Sequence, residues 1–128
     1  MIEEKTDETM NLEPLREAVE RRDPDALIGF YADDAELRVL NAASPDSPGF
    51  ELRGRAEIER YLRVVLDYKT SSHVEDEVAG EQRVEFSEVC EYPDGTRIVV
   101  RTALELGEGG ILRQLDVVER SSKPRQRK

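Results

Sequence analysis

The sequence lacks most of the residues that mark secreted, membrane-spanning or metal-binding proteins. One cysteine, Cys90, excludes an internal disulfide, and the one histidine, His73, has no second histidine or cysteine at metal-ligand spacing. No uncharged apolar run is long enough to cross a membrane, and the start, MIEEKTDETM, lacks the apolar stretch of a signal peptide. We therefore expect a cytoplasmic protein without a metal ion. The absence of a phosphate-cradling glycine loop predicts no nucleotide cofactor either.

Positive charge is also scarce in this chain. It has 19 lysine and arginine residues against 29 aspartate and glutamate residues, so the formal net charge is −10. Such a chain repels phosphate backbones, and we expect neither a nucleic-acid partner nor a membrane partner. The length of 128 residues suits one domain. We assign residues 1–10 to a flexible acidic N-terminus, 11–120 to a single domain and 121–128 to a basic, disordered tail.

The first half of the chain predicts three helices. Residues 11–22 place their apolar side chains on one stripe. The pair Asp23–Pro24 is typical of a helix start, and the second helix is expected to end near Ala32. The pattern is clearest over 54–67, where apolar residues recur at i, i+3, i+4, i+7 and i+8 from Ile58.

The remaining chain predicts β-strands over residues 35–40, 73–79, 82–92, 96–106 and 110–120. The last four are separated by short turns that contain glycine, which is typical of hairpins. Residues 41–49 contain two prolines and a glycine and predict a loop. Three helices followed by an antiparallel meander indicate an α+β domain, with the helices on one face of a curved, mainly antiparallel sheet.

The two faces of the last strand both carry apolar residues. Strict alternation places Leu112 and Val118 on the face of Gln114 and Asp116. The other face is then formed by Ile111, Leu115 and Val117. Because helices cover only one side of a sheet, we expect a second copy of the chain to pack on the other side, as a homodimer.

Three short segments, taken in order, resemble the nuclear transport factor 2-like superfamily. They are FYADDAEL (30–37), LRGRAEIERYL (52–62) and GGILRQLDVVE (109–119), and they resemble most closely the SnoaL-like branch. The superfamily also includes ketosteroid isomerases, polyketide cyclases and limonene-epoxide-hydrolase-like proteins. The resemblance covers about residues 12–120, and it implies a cone-shaped α+β barrel with an internal pocket, commonly dimeric. It places Asp33–Asp34 at the family's helix-to-strand corner, where aspartate side chains bond to local backbone N–H groups.

The resemblance also matches the three acid–base groups of ketosteroid isomerases to positions in this sequence. Those positions hold other residue types here. Their general-base aspartate matches a position near Val39, and their oxyanion tyrosine matches a position near Leu15. Their protonated aspartate falls near Thr102 or Ala103. Steroid isomerisation by that set of residues is therefore not expected.

Two carboxylates, Asp116 and Glu88, are the candidates for catalysis. Asp116 matches the last-strand acid of the Asp–Arg–Asp set of limonene-epoxide-hydrolase-like proteins; the arginine matches Arg101, and alanine replaces the other acid. A carboxylate in an apolar cavity has a raised pKa and can transfer a proton near neutral pH. Glu88 lies on an otherwise apolar strand face, with Arg101 or Gln114 as its expected partner. The structural alternatives are a pocket-rim aspartate and a buried hydrogen bond.

The predicted ligand-binding residues are those whose helix or strand faces turn toward such a cavity: Tyr31, Val39, Tyr61, Phe86, Val100, Thr102 and Gln114. Tyr31 and Tyr61 are expected on inner helix faces, either as core aromatics or as hydroxyl donors. Two functions stay open. One is a cofactor-independent acid–base isomerase, cyclase or hydrolase acting on a hydrophobic, carbonyl-bearing small molecule. The other is a non-catalytic dimeric module for ligand binding or protein association, since a fold alone does not fix a function.

Overall fold

The computed structural model describes residues 13–42, 46, 49–67 and 70–122, and its two longer helices follow the apolar periodicity of the sequence. Helix α1 spans Glu13–Arg21 and buries Leu15, Ala18 and Val19. Helix α3 spans Arg55–Val65 and buries Ile58 and Leu62. In the described ranges, no helix combines the length and the apolar character that crossing a membrane requires.

The second helix is much shorter than predicted. Helix α2 spans Pro24–Ile28, and its N-cap Asp23 accepts hydrogen bonds from the backbone N–H groups of Asp25 and Ala26. It stops before Gly29, a residue with low helix propensity, rather than near Ala32. Tyr31 was predicted to lie on a helix. It is instead the first residue of strand β1, Tyr31–Asn41. Aromatic residues fit a half-buried strand well, and here the sheet outweighs the helical spacing.

Asp33 and Asp34 lie inside β1, which corrects the prediction that they form a helix-to-strand corner. Both are exposed, and they occupy the irregular part of β1, between Tyr31 and Glu36. Asp33 Oδ1 is 3.5 Å from Arg55 Nη1 on α3, at an exposed ion pair. The two aspartates thus belong to the exposed surface of the strand.

The strands form one mixed sheet in the order β2-β1-β6-β5-β4-β3. The four strands after α3 are β3 (Ser71–Ala79), β4 (Arg83–Glu91), β5 (Arg97–Gly107) and β6 (Gly110–Ser122). They form the predicted antiparallel meander. Two features were not predicted: the short strand β2, Phe50–Arg53, and the parallel pairing of β1 with β6. The α+β class and the mainly antiparallel sheet are confirmed.

The predicted ends of the domain meet the described residues only in part. Strand β6 continues through Ser122, two residues into the segment assigned to the basic tail. Residues 1–12 and 123–128 lie outside the described residues, so the flexible N-terminus and the rest of the tail stay predictions. The helix count of the whole chain and its cone-shaped outline stay predictions as well.

A β-bulge in β6 reverses the expected orientation of two residues. Glu105 pairs with Arg113 and Leu106 pairs with Ile111, so Leu112 is the extra residue on β6. Ile111 is 1% exposed and belongs to the core, whereas Leu112 is 40% exposed. Strict alternation predicted the opposite, because a single extra residue moves every side chain on one side of the bulge to the other face.

Side-chain ion pairs and hydrogen bonds attach the helices to the sheet and to each other. Arg16 on α1 makes a two-point salt bridge to Glu77 on β3, with N–O distances of 3.0 and 2.6 Å. Arg63 on α3 reaches Asp25 on α2 at 2.6 Å. Beneath these contacts, the largest fully buried side chains come from both layers: Leu37, Ile58, Val84, Leu104 and Ile111. The core therefore lies between the helices and one face of the sheet.

Candidate functional site

A cavity of about 220 Å³ lies between the helices and the inner face of the sheet. Its walls are mainly aliphatic and aromatic, with side chains from all three helices and from four of the strands, β1, β4, β5 and β6. All nine residues predicted to catalyse or bind line this one cavity: Tyr31, Val39, Tyr61, Phe86, Glu88, Val100, Thr102, Gln114 and Asp116. The structure thus brings the nominated residues together, and their roles in binding and catalysis stay predictions.

The acidic group of β6 is held by two neutral donors. Asp116 stands opposite Thr102 in the β5–β6 ladder, and Thr102 Oγ1 donates to Asp116 Oδ1 at 2.9 Å. Gln114, two positions earlier on the same face of β6, donates from Nε2 to the same oxygen at 2.9 Å. The Tyr31 hydroxyl donates in turn to Gln114 Oε1. Both hydrogen bonds to Asp116 from the described residues go to Oδ1, so Oδ2 has no hydrogen-bond donor among them.

The environment of Asp116 moves its pKa toward neutrality. Burial disfavours the charged form and raises the pKa of the carboxyl from its ordinary 3.8 to about 6. The hydrogen bonds from Gln114 and Thr102 oppose this rise, and the negative charge of Glu88 adds to it. At neutral pH the carboxylate is the main form, with an accessible acid form beside it. Such a group can both take and return a proton.

Two tyrosine hydroxyls in the cavity wall stay protonated. Burial raises the pKa of Tyr31 far above its usual value, and it raises the pKa of Tyr61 to about 12. The charges of Asp116 and Glu88 raise the pKa of both tyrosines further, and all four residues line the same cavity. The Tyr31 hydroxyl donates its hydrogen bond to Gln114 Oε1. Tyr61 makes no hydrogen bond within the described residues, so its hydroxyl is available to a ligand oxygen.

Glu88 lines the cavity from β4, but neither of its expected partners reaches it. Cys90 Sγ donates to Glu88 Oε2 at 3.5 Å, a weak hydrogen bond. Arg101 points to the opposite face of the sheet, where it contacts Ser87 Oγ at 3.3 Å and Glu85 Oε1 at 3.8 Å. Gln114 is occupied by Tyr31 and Asp116. The expected pairing of Glu88 with Arg101 or Gln114 is therefore wrong, since register places Arg101 on the outer face and Gln114 beside Asp116.

One charged residue of the cavity wall was missed in the sequence. Arg22 follows α1 with a backbone φ of 56°, and its side chain turns back into the cavity wall. Its Nη1 donates to Ser72 Oγ at 2.7 Å and its Nη2 donates to the Val65 carbonyl at 2.8 Å, while its buried Nε has no acceptor in the described residues. An arginine that directly follows a helix normally points to solvent, so no pattern in the sequence identifies it.

Cys90 lines the cavity, whereas His73 is not among the lining residues. Burial and the charge of Glu88 raise the pKa of the Cys90 thiol to about 11, so it is protonated and unreactive near neutral pH. His73 is exposed on β3 and contacts Glu75 Oε2 at 2.6 Å. Within the described ranges, no three histidine, cysteine, aspartate or glutamate side chains come together in a way that would hold a metal ion.

The fold described above is shared by solved structures of one class, the nuclear transport factor 2-like proteins. A provisionally assigned ketosteroid isomerase from Kribbella flavida is 18% identical and has a TM-score of 0.66; 88% of this chain and 78% of that chain are covered. An NTF2-like protein of unknown function from Mesorhizobium loti is 16% identical, with a TM-score of 0.71 and coverage of 83% and 85%. A provisionally assigned polyketide cyclase from Xanthomonas campestris is 23% identical, with a TM-score of 0.60 and coverage of 83% and 85%. At these identities the likeness shows the fold alone.

The family is given by the sequence itself. The profile of the SnoaL-like domain matches residues 12–108, about three quarters of the chain, and the protein belongs to the SnoaL-like domain family. No curated protein matches the chain significantly. The predicted resemblance to the SnoaL-like branch of the nuclear transport factor 2-like superfamily is therefore confirmed.

Proposed function

We propose that this SnoaL-like protein binds a small hydrophobic carbonyl compound in the cavity and catalyses proton transfer at the carbon beside the carbonyl group. One observation carries the proposal: Asp116 projects into an apolar cavity with Oδ1 fixed by two donors and a pKa near neutrality. Proton removal from carbon is the step shared by isomerisation and by cyclisation through a carbon–carbon bond. Both belong to the isomerase and cyclase class named for two of the structural neighbours.

The groups in the cavity are suited to each half of that step. Asp116 Oδ2 takes the proton, and the electron pair of the broken C–H bond moves onto the carbonyl oxygen to form an enolate. The neutral hydroxyl of Tyr61 donates a hydrogen bond to that oxygen and stabilises the new charge. In an isomerisation, the acid form of Asp116 returns the proton to another carbon of the enolate. In a cyclisation, the enolate carbon attacks a second carbonyl carbon, and the resulting alkoxide is protonated. Glu88 is the second carboxylate within reach of the cavity.

The cavity volume limits the size of the ligand. A dry cavity of about 150 Å³ holds benzene, with six non-hydrogen atoms, so about 220 Å³ corresponds to roughly nine enclosed non-hydrogen atoms. A compact one- or two-ring ketone fits this volume. A steroid nucleus does not fit inside it, in agreement with the apolar side chains of Leu15 and Val39 at the positions matched to the acid–base groups of ketosteroid isomerases.

Deuterium exchange into a compact ketone tests the proposal directly. 2-Indanone is incubated with the protein in D₂O, and loss of the proton signals beside the carbonyl is followed by NMR. We expect exchange above the buffer rate with the wild-type protein, and a drop on the order of 10²–10⁴-fold with Asp116→Asn. Glu85→Gln removes a carboxylate from the outer face of the sheet and serves as the matched control, with unchanged exchange. Equal exchange by wild type and Asp116→Asn would overturn the assignment.

A second candidate function, ligand binding without catalysis, is favoured by the absence of acidic and tyrosyl side chains at Val39 and Leu15. On this alternative the cavity holds the same class of ligand, and the Tyr61 hydroxyl or the acid form of Asp116 only donates a hydrogen bond to its carbonyl oxygen. Ligand titration by NMR separates the two functions. Saturable 2-indanone binding without any exchange above buffer indicates the binder, and binding accompanied by Asp116-dependent exchange indicates the enzyme.

We also propose that two copies of the chain pair through the outer face of the sheet. Leu115 is 37% exposed there, Val117 two residues further along β6 is half-buried, and Val99 on β5 is half-buried as well. Ion pairs such as Arg113–Glu105 at 3.4 Å flank this apolar strip and can give the contact its register. Sedimentation at micromolar concentration is expected to give twice the chain mass, and Leu115→Glu is expected to give the mass of one chain. A wild-type mass of one chain contradicts the dimer.

A further inference from the structure

The hydrogen bonds around Asp116 depend on the orientation of one amide group. Gln114 presents Nε2 to Asp116 and Oε1 to Tyr31. A flip of the amide by half a turn would place Oε1 against the carboxylate, where two acceptors repel each other. A glutamine amide alone tolerates either orientation, because its two ends are nearly equal in shape. The ionised carboxylate disfavours the flip by itself, but the acid form of Asp116 could donate to Oε1 in the flipped orientation. A contact on the other side of the amide is therefore needed to favour the orientation that supports the ionised form.

Tyr31 supplies that selection. Its hydroxyl is buried and protonated, and it donates to Gln114 Oε1. In the flipped orientation the amide Nε2 would face this hydroxyl and could donate to its oxygen, but the hydroxyl proton would lose Gln114 Oε1, its one acceptor among the described residues. The donor on β1 thus acts on the carboxylate of β6 through the amide between them, with no hydrogen bond of its own to Asp116 among the described residues.

We propose that Tyr31 and Gln114 are positioning residues, with the Tyr31 hydroxyl locking the Gln114 amide so that it donates to Asp116 Oδ1 and leaves Oδ2 as the reactive oxygen. The proposal rests on the proton-transfer role given to Asp116 above. It assigns to Tyr31 an indirect role in place of the ligand contact predicted from the sequence. The lock also fixes the balance between acid and carboxylate, because a hydrogen bond to the charged form favours that form.

Other groups face Asp116 and have to be held constant in a test. They come from β4, β5 and α3, and they are Glu88, Thr102 and Tyr61. Thr102 is the useful control because it donates to the same oxygen as Gln114 but has no bond to Tyr31. Removing the Thr102 hydroxyl weakens the ionised form by a route that is independent of the lock.

The experiment is a titration of Asp116 itself, which requires no substrate. The protein is labelled with ¹³C at aspartate carboxyl carbons, Asp116→Asn assigns the signal, and its midpoint is followed with pH. We expect Gln114→Leu to raise the midpoint by about one pH unit and Tyr31→Phe to raise it by about half a unit. The double variant is expected to match Gln114→Leu alone, since Tyr31 acts only through the amide. Thr102→Val is expected to add its full shift to that of Tyr31→Phe.

The results that overturn the lock differ from those that overturn the proposed function. The lock is wrong if Tyr31→Phe leaves the midpoint unchanged, or if the shifts of Tyr31→Phe and Gln114→Leu simply add. Tyr31→Phe keeps the ring in the core, and Gln114→Met replaces Gln114→Leu if the latter does not fold. Absence of deuterium exchange in the wild type refutes the enzyme while leaving the titration valid. If exchange occurs, the pH midpoint of its rate is expected to move with the ¹³C midpoint in each variant.

Discussion

Replacing Asp116 with asparagine is expected to stabilise the protein at neutral pH. The folded carboxyl has a pKa of about 6, against an ordinary 3.8 that applies to the unfolded chain. The folded protein thus binds the proton more tightly, and stability contributed by this group is present below pH 3.8 and is lost as the pH rises through 6. The difference of about two pH units corresponds to about 3 kcal/mol. About 2 kcal/mol of this falls between pH 4.5 and 7.5.

Urea unfolding at the two pH values measures the effect as a difference between variants. The free energy of unfolding of Asp116→Asn minus that of wild type is expected to increase by about 2 kcal/mol from pH 4.5 to pH 7.5. Every other titrating group cancels in this difference, and Glu85→Gln on the outer face gives the baseline. A difference that stays constant with pH, or that decreases, would refute the claim that burial dominates the environment of Asp116.

Three further predictions concern parts of the molecule outside the acid site. Cys90, with a pKa of about 11, is expected to react with iodoacetamide at pH 8 on the order of 10²-fold more slowly than a free thiol; rapid labelling of the folded protein, detected by mass spectrometry, contradicts its burial. Ile111→Ala is expected to cost about 2–5 kcal/mol of unfolding free energy and Leu112→Ala less than about 1 kcal/mol, whereas the reverse order in urea unfolding would contradict the bulge. Gly110→Ala is expected to lower the thermal midpoint by several degrees, because a β-carbon there would lie 2.4 Å from the Phe30 carbonyl oxygen at a φ of 116°; an unchanged midpoint counts against that close approach.

The inner surface of the sheet was predictable because alternation continues without interruption over most of the strands. Val100 and Thr102 on β5 share a face with Leu104, and all three line the cavity. Asp116 and Gln114 follow from the same two-residue period on β6. Predicting these positions required only the two-residue period of a strand and the expectation that helices cover one face of the sheet.

The interrupted parts were not predictable by the same rule. Helix α2 ends before Gly29, and a glycine at that place is a signal for a helix end. The prediction extended the helix past it because the apolar spacing continues through Phe30 and Tyr31. The bulge at Leu112 changes the face of the sheet on which the neighbouring β6 side chains lie. No residue type in that stretch requires a bulge. Arg22 lies in the cavity wall through a left-handed backbone that normally favours glycine. The bulge and the position of Arg22 depend on tertiary packing rather than on local pattern.

The parallel pairing of β1 with β6 sets an order for the assembly of this protein on the ribosome. Strand β6 lies between β1 and β5, so the β2-β1 pair and the β5-β4-β3 meander stay separate until it is synthesised. Val39 meets Asp116 across this join, which brings together chain segments that are distant in sequence. While β6 is still inside the ribosome, the edge of β1 that pairs with it is exposed. An unpaired strand edge of this kind promotes association between chains. Strand β6 carries Asp116 and also joins the two parts of the sheet. A chain that lacks β6 therefore has neither the acidic residue nor a complete sheet.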